Sequence, residues 1–302
     1  MAAATHPGVA RGPRRRVARH TAQRSLYGVL FTLPVVVIEV LLLFLPIIQT
    51  FYYSMTYWDG VTAQWVGVGT FVSLFQDPAF WRVLLNNGLL LLSVPVAIGI
   101  PLVVAYLLHE KIWGWKFFRS VYFLPTAISW VVIAMVAVQF FAGSGILNHL
   151  LAPFGVQQNM LAGEYPAMIA VVITFIWSQF GQNTIIFITG MATLHPEVYE
   201  AARIDGANQW QIFWRITVPL LRRFILFAFI TTLVTAFSAL FSLIFVMTGG
   251  GPGYGTTTLE FFVYQEAFNV GQFGFGATLG VVLFVIVFAI SLLQLRLLQR
   301  ED

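Results

Sequence analysis

The residues able to carry chemistry are sparse. Cysteine is absent, so thiolate nucleophiles, thiolate metal sites and disulfides drop out at once. A phosphate-binding Walker loop needs Gly-Lys-Ser or Gly-Lys-Thr, yet Lys111 and Lys116 are followed by Ile112 and Phe117. His109-Glu110 opens like a zinc-protease helix, but the position four after the histidine is Trp113 and no second ligand follows. The five histidines lie in tails, loops or at the ends of apolar runs, which leaves no buried serine–histidine pair for a protease. What remains is hydrogen-bonding chemistry. Gln179, Gln182 and Asn183 share one helix face by their spacing, with Trp177 and Ser178 beside them, and Thr231, Thr232, Thr235 and Ser238 repeat the pattern further on. Such faces bind a polar solute or join helices to one another.

These residues are set in an apolar chain. Of 302 residues, 59% are hydrophobic and 9% charged, and the mean hydropathy is +0.83; soluble domains carry roughly 25% charged residues. The chain lacks the polar surface to sit in water. Six apolar runs lie near residues 28–52, 88–108, 120–141, 167–191, 224–247 and 277–298, each long enough to cross a bilayer as a helix. Pro34, Pro46, Pro95 and Pro101 fall inside the first two, where kinks rather than ends are expected. No run carries a ladder of arginines, which argues against a voltage sensor. Glu39, inside the first run, needs a partner or an aqueous face and reads as structural.

Orientation follows from the basic residues. Residues 1–26 form a basic tail with Arg11, Arg14, Arg15, Arg16, Arg19 and Arg24, and the connections after the second and fourth runs carry Lys111, Lys116, Arg119, Arg203, Arg215, Arg222 and Arg223. Arg296 and Arg300 close the chain, while the opposite side holds Arg82 alone. Both termini are therefore expected in the cytoplasm. A cleaved signal has an apolar region of about 7–15 residues and a small-residue cleavage site, whereas the first run is longer and continues through Leu45-Pro46-Ile47-Ile48, so it is expected to be retained.

The most informative segment is residues 195–219, between the fourth and fifth runs. Pro196 suits a first helical turn and Glu197 the positive end of its dipole, so a helix is expected from Pro196 to about Ile204. Gly206 suits the turn that ends it, and Asn208 with Gln211 has the capping-box spacing for a second helix ending before Pro219. Val198, Ile204, Trp210, Phe213 and Trp214 exceed what a solvated connection needs. From the residues alone, two readings stand: an amphipathic hairpin on the lipid surface, or a docking surface for another protein.

The order Glu200-Ala201-Ala202, three residues, Gly206, nine residues, Ile216, one residue, Val218-Pro219 resembles the EAA loop of binding-protein-dependent ABC importer permeases. The family usually has leucine where Val218 stands, a change that keeps an apolar residue. The resemblance extends over most of the chain. Phe71–Trp81 leading to Asn86-Asn87, then Thr248-Gly249-Gly250-Gly251-Pro252, Thr256-Thr257-Thr258, Tyr264, Ala267-Phe268 and Gly274–Ala277, are similar to carbohydrate-type permeases of the MalF/UgpA-like branch. Taken alone, the glycine run reads as an external turn.

The resemblance implies an all-α, polytopic fold of six transmembrane helices, the MetI-like fold of type I importers, with a permease domain over residues 27–302 in a bacterial inner membrane. It implies that Glu200, Ala201, Ala202, Asp205, Gly206, Ile216 and Pro219 couple the chain to an ATPase, and that Trp177, Gln179, Gln182, Asn183, Thr232, Thr235 and Ser238 lie where related sugar permeases hold solute. The implied partners are a second permease (MalG/UgpE-like), two ATPase subunits and an extracytoplasmic solute-binding protein. No cofactor is expected in this chain, ATP and Mg being held by the ATPase. A gradient-driven carrier is the competing class, but such a carrier should bury several acidic residues, and the six runs contain only Glu39.

Overall fold

The computed structural model describes residues 30–110, 114–155 and 158–299. The basic tail, Lys111 and Arg300 fall outside them. The described residues are all-α apart from one two-stranded hairpin. Among the described residues, five helices are long and apolar enough to span a bilayer, six if the bent pair Gln209–Leu220 and Arg222–Ser238 counts as one span.

The first span, α1 (Leu30–Tyr53), belongs for most of its length to a separate compact unit ending at Tyr52. No residue of it is buried, and Glu39 is exposed. It contains a π turn at Val40–Phe44, two residues before Pro46. Widening a helical turn relieves the clash between a proline ring and the carbonyl four residues earlier, so the helix passes Pro46 without ending.

The second unit starts at Tyr53. Strands β1 (Thr56–Trp58) and β2 (Ala63–Trp65) pair antiparallel. Their turn is held by Asp59, whose carboxylate accepts from the backbone N–H groups of Thr62 and Val61; those bonds hold its carboxyl below the usual carboxylate range. A short helix, α2 (Gly69–Gln76), leads to α3 (Pro78–His109). This helix starts ten residues before the apolar run does, because Asp77 caps it by accepting from Ala79 N and Pro78 occupies its first turn. It continues through both Pro95 and Pro101.

The single span expected over residues 120–141 is broken. Helix α4 (Trp115–Ala127) stops, Ile128 and Ser129 are extended, and Ser129 caps α5 (Trp130–Phe141) by accepting from Val132 N. Two causes act together: Pro125 removes one ladder donor, and the serine offers a cap. After a short helix, α6 (Ile146–Leu151), the fourth span α7 (Glu164–Met191) packs extensively on α3. Where α7 meets α4, Gly181 is needed, because a Cβ there would run into Thr126 Oγ1 and, at 2.7 Å, Tyr122 O.

The run expected over 224–247 is also broken, into α10 (Arg222–Ser238) and α11 (Phe241–Met247), preceded by the connecting helices α8 (Pro196–Ile204) and α9 (Gln209–Leu220). The chain closes with α12 (Leu259–Tyr264), a π turn and the last span, α13 (Phe273–Gln299). The main core gathers Leu90, Val94, Phe175, Phe187, Leu243 and Ile244 from α3, α7 and α11. A second cluster, Leu74, Phe80, Val83, Leu259, Phe262 and Leu279, ties α2, α3, α12 and α13 together.

Candidate functional site

The connecting hairpin forms as its caps dictate. Pro196 starts α8, with Glu197 in its first turn and Arg203 in its last, each matching the dipole. Beyond Ile204 the chain reverses: Gly206 N donates to Arg203 O at 3.1 Å and Ala207 N to Ala202 O at 3.0 Å. The reversal requires Gly206 at a φ of +80°. Both halves of the expected capping box are made, Gln211 N to Asn208 Oδ1 at 2.8 Å and Asn208 N to Gln211 Oε1 at 2.9 Å.

The second helix does not end before Pro219 as expected. A π turn over Phe213–Thr217 opens the ladder, Val218 N bonds Phe213 O, and the helix runs through Pro219 to Leu220 before bending by 72° into α10. The same device, a π turn two residues before a proline, stands in α1.

The two arms close on a small core of Tyr199, Ala202 and Ile212, with Ile216 packed against it, and Thr217 Oγ1 donates to the Tyr199 hydroxyl at 3.4 Å. Ala202 thus faces inward, where a larger side chain would part the arms. Glu200, Ala201, Asp205 and Pro219 face outward. So do Ile204, 86% exposed at the turn, and Trp210, 65% exposed. The exposed residues of the hairpin are apolar, aromatic and charged, with Arg203 and Arg215 among them as well as Glu200 and Asp205.

The polar residues of spans four and five divide into two groups. Asn183 and Thr232 are fully buried and bonded to each other: Asn183 Nδ2 donates to Thr232 Oγ1 at 3.1 Å and to Ala97 O at 2.8 Å. They stitch α3, α7 and α10 together. Gln179 is also buried, and its Nε2 finds no hydrogen-bond partner among the described residues. Ser178 Oγ bonds Phe175 O, Thr231 Oγ1 bonds Phe227 O, Thr235 Oγ1 bonds Thr231 O and Ser238 Oγ bonds Val234 O, each within its own helix. Gln182 and Thr235 are half-buried, and Trp177 and Ser238 are exposed. Trp177 lines a groove of about 350 Å³ with Val136, Phe140, Phe141, Ile173 and Thr174.

Segments far apart in the chain meet at the other end of α3. Asn86 Nδ2 donates to Tyr254 O at 2.7 Å and Thr257 O at 2.9 Å, and Asn87 Oδ1 accepts from Leu259 N at 2.8 Å. The glycine run is a turn, as its composition suggests, but a fastened one: Thr257 Oγ1 donates to Gly250 O at 2.9 Å, and the hydroxyls of Thr248 and Thr256 lie 2.6 Å apart. Arg82, at 3.0 Å from Glu164, ties α3 to the start of α7.

Two further contacts join residues whose spacing gives no sign of them. Glu260 of α12 accepts from Leu240 N and Phe241 N at the break in span five. Glu110 pairs with Arg203, 93 positions away. Only the charges themselves, placed beside apolar runs, signal either.

Comparison with known proteins agrees with this architecture. Residues 97–301 match the family described as binding-protein-dependent transport system inner membrane component. The chain is 31% identical over 280 residues to the multiple sugar-binding transport system permease protein MsmF of Streptococcus mutans, covering 91% of this chain and 96% of MsmF. It is likewise 31% identical over 279 residues to the sn-glycerol-3-phosphate transport system permease protein UgpA of Salmonella typhimurium, covering 90% and 94%. The fold is similar to that of a chain in the crystal structure of a bacterial alginate ABC transporter in complex with an alginate pentasaccharide-bound periplasmic protein, with a TM-score of 0.82 at 23% identity over 93% of this chain and 97% of that one. A spanning helical bundle, an EAA-spaced hairpin and a family match over two thirds of the sequence converge: the chain belongs to the binding-protein-dependent transport system inner membrane components, the permease subunits of ABC importers.

Proposed function

We propose that the chain is the sugar-type permease of an ATP-driven importer, receiving its solute from an external binding protein and coupled by its hairpin to a separate ATPase. The carrying observation is the outer face of the hairpin: Glu200, Ile204 and Trp210 stand exposed on two short helices whose caps and shared core of Tyr199, Ala202 and Ile212 do not use their side chains. Exposed apolar residues on a rigid knob suit insertion into a cleft of another protein. Glu200 supplies the charged contact, Gly206 the turn, and Ala201, Ala202, Asp205, Ile216 and Pro219 the shape. ATP and Mg are held by two ATPase subunits, and this chain has no ATPase site of its own. A second permease of the MalG/UgpE-like kind completes the pathway, and both termini of this chain lie in the cytoplasm.

MsmF and UgpA, both named for transport of sugar-like or glycerol-phosphate solutes, support a polyhydroxylated substrate. No arginine or lysine lies in α7 or in residues 224–247, which favours a neutral solute over a phosphorylated one, since a buried phosphate calls for a guanidinium. Trp177, Gln182, Thr235 and Ser238, which are not fully buried, are the first candidates to meet it, with Gln179 offering an unpaired donor.

The test is to isolate the tagged chain in mild detergent, identify the copurifying chains by mass spectrometry and assay ATP hydrolysis. A second permease, an ATPase and a solute-binding protein, with hydrolysis stimulated by the loaded binding protein, would support the reading. An ATPase-free homo-oligomer that still transports would overturn it.

A further inference from the structure

The cytoplasmic-side end of α3 and the connecting hairpin are joined by three kinds of contact. Arg203 of α8 donates to both carboxylate oxygens of Glu110, at 2.9 and 3.2 Å. The Tyr106 hydroxyl donates to the side-chain oxygen of Gln209, the first residue of α9. The Tyr106 ring packs on Phe213 with centroids 5.1 Å apart, and His109 lies 6.2 Å from Tyr199. Both arms of the hairpin are thus gripped by residues 106–110, the last turn of α3 and its C-terminal cap Glu110. His109, Glu110, Tyr199, Glu200 and Arg203 also line a groove of about 390 Å³.

At its far end the same helix is fastened through Asn86 and Asn87 to Tyr254, Thr257 and Leu259. Tyr106 lies 20 positions beyond Asn86, about 30 Å along a helix at 1.5 Å per residue, which is about the thickness of the hydrocarbon core. Between the two fastenings α3 is unbroken, and Ala97 O receives the buried Asn183. One continuous element therefore holds the hairpin at one membrane face and the glycine turn at the other.

We infer that Tyr106 and Glu110 are positioning residues for transport: through Gln209 and Arg203 they pass displacement of the hairpin to the second span, and along it to the turn at Thr248–Leu259. This rests on the coupling role proposed for the hairpin. The ion pair is partly exposed, 48% at Arg203 and 21% at Glu110, and pairs of that kind contribute little to folding. Its removal should therefore alter coupling while the protein still folds.

The test uses the complete transporter, this chain with its partner subunits and binding protein, in proteoliposomes, with uptake and ATP hydrolysis measured together. The variants are Glu110→Gln, Tyr106→Phe, which keeps the ring on Phe213 but loses the hydroxyl, their combination, and the exchange Glu110→Arg with Arg203→Glu. The expected result is that the combined variant copurifies with its partners and hydrolyses ATP, while solute moved per ATP falls about fivefold to tenfold. The exchange should restore that ratio to within about twofold of wild type. An unchanged ratio in the combined variant, or an exchange no better than Glu110→Gln alone, would overturn the inference. Absence of ATP-driven uptake in the unaltered complex would instead count against the proposed function itself.

Discussion

Glu260 and Leu240, twenty positions apart, meet at the break in the fifth span, where the carboxylate accepts from the backbone N–H groups of Leu240, at 2.9 Å, and Phe241, at 3.0 Å. Ending α10 at Ser238 and restarting at Phe241 frees amide donors that lipid cannot satisfy. Glu260 supplies the acceptor, so α12 and the break stand or fall together.

Replacing Glu260 by alanine leaves both amides without their acceptor, a loss of about 1–3 kcal/mol for a buried group left unpaired. Glu260→Gln keeps one oxygen and should lose less. Thermal unfolding of the purified protein in detergent should rank wild type above Glu260→Gln, and Glu260→Ala lowest. Equal midpoints for wild type and Glu260→Ala would refute the capping role.

Gly206 has room for a side chain, since none of the described residues lies within 4 Å of a Cβ built there, but its φ of +80° does not suit one. Gly206→Ala should cost about 1–2 kcal/mol in local strain, and Gly206→Asn less. We expect membrane insertion to be intact in both, with ATP-driven uptake reduced more in Gly206→Ala than in Gly206→Asn. The reverse order would contradict the turn geometry.

Gly181 is the opposite case: its backbone is ordinary and its space is not. A Cβ there meets Thr126 and Tyr122 of α4, so Gly181→Val should push α4 and α7 apart and destabilise the protein by about 1–3 kcal/mol. The companion change Thr126→Ala should recover part of the loss. Additive losses in the double variant would show that the two residues do not touch.

Asn183 and Gln182 are neighbours with different fates. Asn183→Ala breaks bonds to Ala97 and Thr232 and should lower the unfolding temperature. Gln182→Ala should leave the unfolding temperature nearly unchanged and raise the KM for uptake if the solute passes that face. A lowered unfolding temperature in Gln182→Ala with unchanged KM would remove Gln182 from the pathway.

These cases show what the sequence carries and what it does not. The hairpin was legible because its signals are local: Pro196, Gly206 and the Asn208–Gln211 box lie within sixteen residues and act on backbone donors beside them. The apolar runs at 28–52, 88–108, 167–191 and 277–298 fall on long helices for the same reason, whereas those at 120–141 and 224–247 are broken. The break at Ile128–Ser129 was hidden because residues on both sides are apolar and one serine makes the cap. The break at Ala239–Leu240 was hidden because its stabilising carboxylate lies in the next helix. Asn183 and Thr232 match a solute-binding face by spacing, yet in the fold they bond each other; spacing places residues on a helix face without saying what that face meets. The start of α3 lay outside its apolar run because Arg82, Asn86 and Asn87 dilute the hydropathy while serving tertiary bonds.

The most direct measurement of the central claim is a cross-link from the turn of the hairpin. The chain has no native cysteine, so Ile204→Cys, at a position 86% exposed, provides a single reactive site. In membranes from cells making the complete transporter, a short bifunctional thiol–amine reagent should join Cys at this position to an ATPase subunit, and adding ATP should change the yield. A residue that cross-links to no protein and is instead quenched by a lipid-borne probe would mean that the hairpin lies on the bilayer surface, contradicting the account.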